Sequence, residues 1–220
     1  GETYLNQGNI HAKGDIVNTN TKLYNNYFHG TTLITINGTG AQTLNGSGTL
    51  GVGVYGNIAI NKASGNLTLS GLISVARSWT YTSMGSGSLI TAGSTVAFVG
   101  GGPVIGTITG SHALGAVVFD ADEGVNNFSV EAATTLTANG ALTLSGDSEI
   151  YIHDGNIHAK GDVTVTNTKA YNTFFMGDGT ITLNGTGNQT LTSSGVVGQG
   201  VLPSVVINKA SGNLTLSGLI

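Results

Sequence analysis

The stretch "INKASGNLTLSGLI" at Ile60–Ile73 is written again, letter for letter, at Ile207–Ile220. Displacing the chain on itself until these copies coincide aligns Gly1–Ile73 with Ser148–Ile220 without a gap, and well over half of the aligned positions are identical. "GNIHAKGD" at Gly8–Asp15 returns at Gly155–Asp162, and "NGTG" at Asn37–Gly40 returns at Asn184–Gly187. A fixed internal period marks modules that bury their apolar faces by stacking on one another. Residues 1–220 are therefore read as one continuous body, with 1–147 a complete repeat unit and 148–220 a truncated second one.

Inside the quoted stretch, Leu67 and Leu69 alternate with polar residues, as do Ile34 and Ile36, Leu142 and Leu144, and Ile150 and Ile152. Period two is the signature of strands. Between these runs stand clusters such as "NGTG", "GSGS" and "SGD", which supply turn chemistry. No segment carries a helical period. The anchors Ile36, Ile60, Tyr81, Phe98, Phe119, Leu142, Val165 and Leu183 follow one another at closely similar intervals. The expected fold is all-β, a β-solenoid (β-helix) with about 21 residues per rung and seven rungs per 147-residue repeat. In such a coil inward side chains stack like on like, and Asn and Gly make the corners.

Glycine supplies 36 of 220 residues and charged residues only 8%, against about 25% in ordinary domains. With 39% apolar residues this is not the composition of a disordered chain. The surface is therefore built of hydroxyls and amides. A formal charge of −4 and a single arginine, Arg77, leave no basic patch for phosphates, so nucleic acid is not an expected partner. Cysteine is absent, which excludes disulfides and thiolate chemistry. No apolar run is long enough for a membrane helix. The opening "GETYLNQG" has no basic or apolar region, so an export signal is expected outside this stretch.

The segments "GTGAQTL", "STVAFVGG", "ITGSHALGAVVF" and "TTLTANGALTLSGD", with the quoted stretch, resemble repeat regions of very long exported surface proteins of bacteria and archaea. More loosely they are similar to the β-helical shafts of filamentous-haemagglutinin-like adhesins. The resemblance implies a secreted or cell-surface, repetitive, structural protein and carries no catalytic motif.

Several clusters invite a chemical reading. Asp120, Asp122 and Glu123 form the densest acidic group and would be the place to seek Ca²⁺, yet the spacing matches neither an EF-hand loop nor a calcium β-roll and reads as a solvated turn. His153, Asp154, His158 and Asp162 suggest a metal, but the first copy keeps only His11 and Asp15. Asn61 and Asn208 are expected at corners, with Lys62 and Lys209 directed to solvent. Of seven Asn-x-Ser/Thr sequons, Asn37 and Asn184 beside turn glycines are the expected glycan acceptors. Six T-x-T pairs, from Thr19 and Thr21 to Thr180 and Thr182, raise ice binding, although unequal rungs are expected to scatter them over several faces. No catalytic residue, metal or cofactor is expected. The expected role is a non-catalytic shaft of a filament, sheath or adhesin, associated end to end with further copies of itself or set within a longer array. A carbohydrate-active β-helix and an ice-binding solenoid are the alternatives.

Overall fold

The computed structural model describes residues 5–23, 30–100, 106–121, 125–170, 177–193 and 195–220. Three sheets run along the molecule. The first contains β1 (Asn9–Ala12), β3 (Leu33–Ile36), β5 (Asn57–Asn61), β8 (Ser78–Ser83), β11 (Gly106–Thr109), β14 (Val125–Ala138), β16 (Glu149–Ala159), β18 (Thr180–Leu183) and β20 (Ser204–Ile207) in that order, with β12 (His112–Leu114) also on β14. The second contains β7 (Leu72–Val75), β10 (Thr95–Gly100), β13 (Ala116–Ala121), β15 (Leu142–Gly146), β17 (Val163–Val165), β19 (Gln189–Thr192) and β21 (Leu214–Ser217). The third is short: β2 (Ile16–Val17), β4 (Gln42–Asn45), β6 (Leu67–Ser70) and β9 (Leu89–Ile90).

Every pairing between these strands is parallel, which makes the chain an all-β parallel β-solenoid of about eight turns, with no helix among the described residues. At ~4.8 Å per turn the eight steps of the first sheet span roughly 38 Å. The repeat is visible in the register itself. Asn9 pairs with Leu33 and Leu33 with Asn57, and one repeat further on Asn156 pairs with Thr180 and Thr180 with Ser204.

The finer expectation, 21 residues per rung and seven rungs per repeat, is not confirmed. Along the first sheet Ile10, Ile34, Ile58, Trp79 and Ile108 stack in register, and the turns between them are unequal in length. From β1 to β16, one repeat apart, the strand order takes six steps, so a turn is on average longer than the anchors suggest. The miscount has a geometric cause. Ile36, Ile60, Tyr81 and Leu183 lie in the first sheet, whereas Phe98, Phe119, Leu142 and Val165 lie in the second. The two shortest steps, Tyr81 to Phe98 and Val165 to Leu183, cross from face to face and are fractions of a turn.

The interior is largely apolar. Ile36, Ile60, Trp79, Phe119, Leu142 and Leu183 are fully buried. Phe98, Phe119 and Phe128 follow one another with ring centroids 5.4 and 5.1 Å apart. Each such ring contributes about 1.5–3 kcal/mol by leaving water. Ile60 and its copy Ile207 differ: the first has 0% exposure, the second 60%, because β20 has a neighbour on one side only.

Corners need left-handed backbone. Gly177 has φ +90°, and a Cβ there would stand 2.0 Å from the carbonyl oxygen of Ile152 on the turn below. Ala133 adopts φ +67° without being glycine. A left-handed non-glycine residue costs about 1–2 kcal/mol, and glycine gives back ~0.5–1 kcal/mol in backbone entropy. Gly177→Ala should therefore destabilise by more than ~2 kcal/mol, strain and clash together, while Ala133→Gly should be neutral or stabilise by up to ~1 kcal/mol. Denaturant titration of both variants checks the contrast.

Candidate functional site: the lysine–glutamine corner and the outward faces

The expectation that Lys62 faces solvent is overturned. Its side chain is among the largest that are fully buried, at 1% exposure. Nζ donates to the carbonyl oxygens of Gly38 at 2.6 Å and Gly40 at 3.0 Å, and to Oε1 of Gln42 at 2.6 Å. Gln42 Oε1 also accepts from the Gly38 N–H at 2.8 Å, while its Nε2 donates to Ala12 O at 3.1 Å and Gly14 O at 2.6 Å. Lysine and glutamine thus join three successive turns. The physical reason is the corner itself: carbonyls that leave the ladder at "NGTG" need donors from the next turn, and an ammonium brings three. Gly38 permits the approach, since a Cβ there would meet Lys13 O at 2.3 Å.

The second copy repeats the arrangement. Lys209 Nζ donates to Gly185 O at 2.6 Å, Gly187 O at 2.9 Å and Gln189 Oε1 at 2.7 Å. Gln189 Nε2 donates to Ala159 O and Gly161 O at 3.0 and 2.6 Å. Lys209 is half-buried, because its turn is the last described. Desolvation pushes the Lys62 pKa below the ordinary lysine range. All of the Lys62 partners are neutral oxygens, so this is a structural clamp rather than an acid–base pair. Neighbouring Asn61 ends β5 and is exposed, as is Asn208. Both therefore border the corner, but the inward turn is made by the lysine that follows.

The other sequence candidates are dispersed. Asp15 Oδ1 and Asp162 Oδ1 each accept a backbone N–H, from Thr43 and Thr190, at 2.7 Å in both copies. His153 Nδ1 lies 3.6 Å from Asp178, Asp154 accepts from Ser129 Oγ at 3.0 Å, and His158 stands in a different outward column between Thr137 and Thr182. The Asp154 N–H donates to Asp178 and holds that carboxyl below the usual carboxylate range. Among the described residues no three His, Cys, Asp or Glu side chains are placed to hold a metal. Asp120 is buried and accepts from Ser145 Oγ at 2.5 Å; Asp122 and Glu123 lie outside the described residues. Asn37 and Asn184 are half-buried, each with a buried Oδ1 that has no partner, and Asn37 Nδ2 sits 2.9 Å from His11 Nδ1. Among the residues whose exposure is described, Asn66, Asn188 and Asn213 are the exposed sequons.

Among the described residues, two of the clefts are open to solvent. One of about 300 Å³ is lined by Leu5, Val17, Asn18, Ile34, Val54 and Tyr55, among others. Tyr55 donates its hydroxyl to Asn45 O at 2.9 Å, and burial pushes its pKa up to about 12. The other, of about 500 Å³, is lined by Thr91, Ser94, Thr95, Asn139 and backbone at Gly93, Gly115 and Gly140.

Sequence reading missed the clamp. Its signal was present: Gln42 and Lys62 are separated by the same interval as Gln189 and Lys209. Compared with family models, with curated proteins and with solved structures, the chain matches none of them.

Two expectations follow from these contacts. Lys62→Met removes the side-chain donor from the buried Gly38 carbonyl and the part-buried Gly40 carbonyl, while Gln42 Oε1 keeps the Gly38 N–H; at about 1–3 kcal/mol for a buried group left unsatisfied, a loss of ~2 kcal/mol or more is expected. Lys209→Met should cost a fraction of that, and paired urea titrations read the difference.

The second concerns His112. Trp79 Nε1–H donates to its Nε2 at 2.9 Å, Nδ1 lies 2.6 Å from Gly110 O, and the ring stacks on Tyr81 at 5.0 Å. Only the neutral ring accepts from the indole while donating to the carbonyl, and burial lowers the His112 pKa from 6.5. With the folded pKa depressed, the unfolded chain binds the proton more readily. The His112 contribution is thus full above pH ~6.5 and is lost as pH falls below it. The denaturation midpoint should drop between pH 7 and 5, and His112→Phe should flatten that slope.

Proposed function

We propose that the chain is a length of rigid extracellular shaft, non-catalytic, belonging to a cell-surface filament, sheath or adhesin-like protein and extended by rung-on-rung stacking of further repeat units. The observation that carries this reading is the first sheet, in which nine strands pair in parallel and the register returns from one copy of the repeat to the next. A fixed register allows units to be added without a change of geometry. The sparsely charged surface leaves few cleavage sites for proteases that cut after Lys or Arg.

One observation favours ice binding as a second reading. Thr135 and Thr137 share two adjacent outward columns of the first sheet with Thr180 and Thr182, whereas Thr107 and Thr109 stand in other columns, over Ser78 and Thr80, with Ser129 and His153 following Thr107. Asn156 and His158 interrupt the shared columns, and Thr164 lies on the second sheet. The shaft remains the better reading.

Electron microscopy of native material, with light scattering of this chain, tests it. Fibres are expected with an axial repeat of roughly 29 Å, six turns of ~4.8 Å, and no thermal hysteresis. A monodisperse monomer that never lengthens would sink the shaft, and hysteresis would promote the second reading.

A further inference from the structure

The sequence holds four Asn–Gly junctions: Asn37–Gly38, Asn45–Gly46, Asn139–Gly140 and Asn184–Gly185. In a mobile chain such a junction is chemically vulnerable. The glycine nitrogen, once it gives up its proton, attacks Cγ of the preceding Asn, and a residue without Cβ offers no hindrance to the five-membered ring. Ring closure forms the N–Cγ bond, breaks Cγ–Nδ2 and releases ammonia. Water then opens the succinimide to aspartate or to isoaspartate, which carries one extra carbon in the main chain.

In the folded chain all four glycine N–H groups are engaged, but in two different ways. Gly46 N–H donates to Ser70 O at 3.0 Å and Gly140 N–H to Gly115 O at 2.9 Å, so the backbone of a neighbouring turn holds them. At the two junctions related by the repeat a side chain does so instead. Gly38 N–H donates to Gln42 Oε1 at 2.8 Å and Gly185 N–H to Gln189 Oε1 at 2.9 Å, and both bonds are buried. Asn37 and Asn184 directly follow β3 and β18, and their own N–H groups donate to Ala12 O and Ala159 O at 3.1 Å. Their Oδ1 atoms are buried, and no described donor reaches them. Negative charge develops on that oxygen as the ring closes, and a buried oxyanion without donors is not stabilised. The attacking nitrogen is thus tied up and the oxygen unsupported, at both copies alike.

We propose that Asn37 and Asn184 are succinimide-forming modification sites gated by the clamp glutamines: Gln42 and Gln189 hold them closed, and loss of either contact opens its junction to deamidation. The gate belongs to the glutamine and not to the lysine, since Lys62 reaches Gly38 through the carbonyl oxygen and leaves the N–H to Gln42. Modification is also a one-way release of the corner. The succinimide nitrogen has no proton to give Gln42 Oε1, aspartate places a charge where Oδ1 is buried without a partner, and isoaspartate shifts Gly38 by one main-chain carbon. This inference goes beyond the shaft reading and does not require it.

The test is peptide mapping by mass spectrometry of the full chain, held folded at mildly alkaline pH, with deamidation scored separately at the four junctions. In the unaltered chain Asn37 should react about tenfold or more slowly than in a synthetic peptide reproducing Leu33–Leu44. Gln42→Leu should raise the rate at Asn37 by about fivefold or more and leave Asn45, Asn139 and Asn184 unchanged, and Gln189→Leu should do the same at Asn184 alone. Lys62→Met loosens the same corner but keeps the Gly38 N–H on Gln42, so Asn37 should stay protected. Four junctions accelerating together in a folded Gln42→Leu chain, a silent Gln42→Leu, a Lys62→Met chain as reactive at Asn37 as Gln42→Leu, or folded Asn37 keeping pace with the peptide would each overturn the proposal. Circular dichroism establishes that each variant is folded. Should neither glutamine variant fold, the unaltered chain carries the test: as urea is raised, deamidation at Asn37 should track hydrogen exchange of the Gly38 amide, and rates that vary independently overturn the gate.

Discussion

Parallel stacking in fixed register is the constraint on which everything else in this molecule depends. Each residue lies over its equivalent one turn below, ~4.8 Å away, so a choice made on one turn is imposed on its neighbours. That is why Val75, Phe98, Phe119 and Leu144 form one inward column, and why Thr143 and Thr164 share an outward one. It also explains the repeat without gaps. A residue gained inside a strand would invert every side chain after it, whereas corners absorb length freely. The unequal turns from Ile34 to Ile58, to Trp79 and to Ile108 on the first sheet show the corners doing so.

The same constraint accounts for the buried lysine. A corner that leaves the ladder strands carbonyl groups, and at Gly38 the bond that satisfies one of them is buried. Burying an ammonium is costly unless all its protons are bonded, and at Lys62 three oxygens meet that condition. Gln42 extends the chain of bonds downward to Ala12 and Gly14. Amide and ammonium together satisfy two successive corners with two side chains. The rest of the corner chemistry is glycine and the Asp15 and Asp162 caps.

Much of the fold was legible because it is written in periods. Alternation at Leu67 and Leu69 located strands, the return of Ile60–Ile73 at Ile207–Ile220 located the repeat, and Ile36, Ile60 and Leu183 were read correctly as inward. The rung count was not legible, since two faces of one coil present the same alternation and the eye passes from Tyr81 to Phe98 without seeing a corner. Lys62 was misread because a lysine's usual exposure reflects isolated charges, whereas its partners here come from the backbone of the preceding turn, at Gly38 and Gly40. The strap that residues 46–56 lay across the next turn was invisible for another reason. Leu50, Val52 and Val54 alternate with Gly51 and Gly53 and look like a weak strand, although Leu50 and Val54 pack on the outside of the next turn and Val52 bridges to Leu23.

These devices do not act in one direction. The lysine reaches back from its own turn to the one before, the glutamine back once more, and the strap reaches forward over the two that follow. In a simple solenoid each turn contacts only its neighbours and stability adds turn by turn. Here the clamp bonds adjacent turns at their corners, and the apolar cluster of Leu50 and Val54 with Ala97 and Val99 reaches a second neighbour as well. An opening at one turn must therefore release the clamp on one side and the strap on the other. Such coupling raises the cost of a local bend or break well above that of one ladder step. Coupling between turns then comes from a pattern of long-reaching side chains and an overhanging loop renewed every six turns, with few charges and no disulfide in a cysteine-free chain.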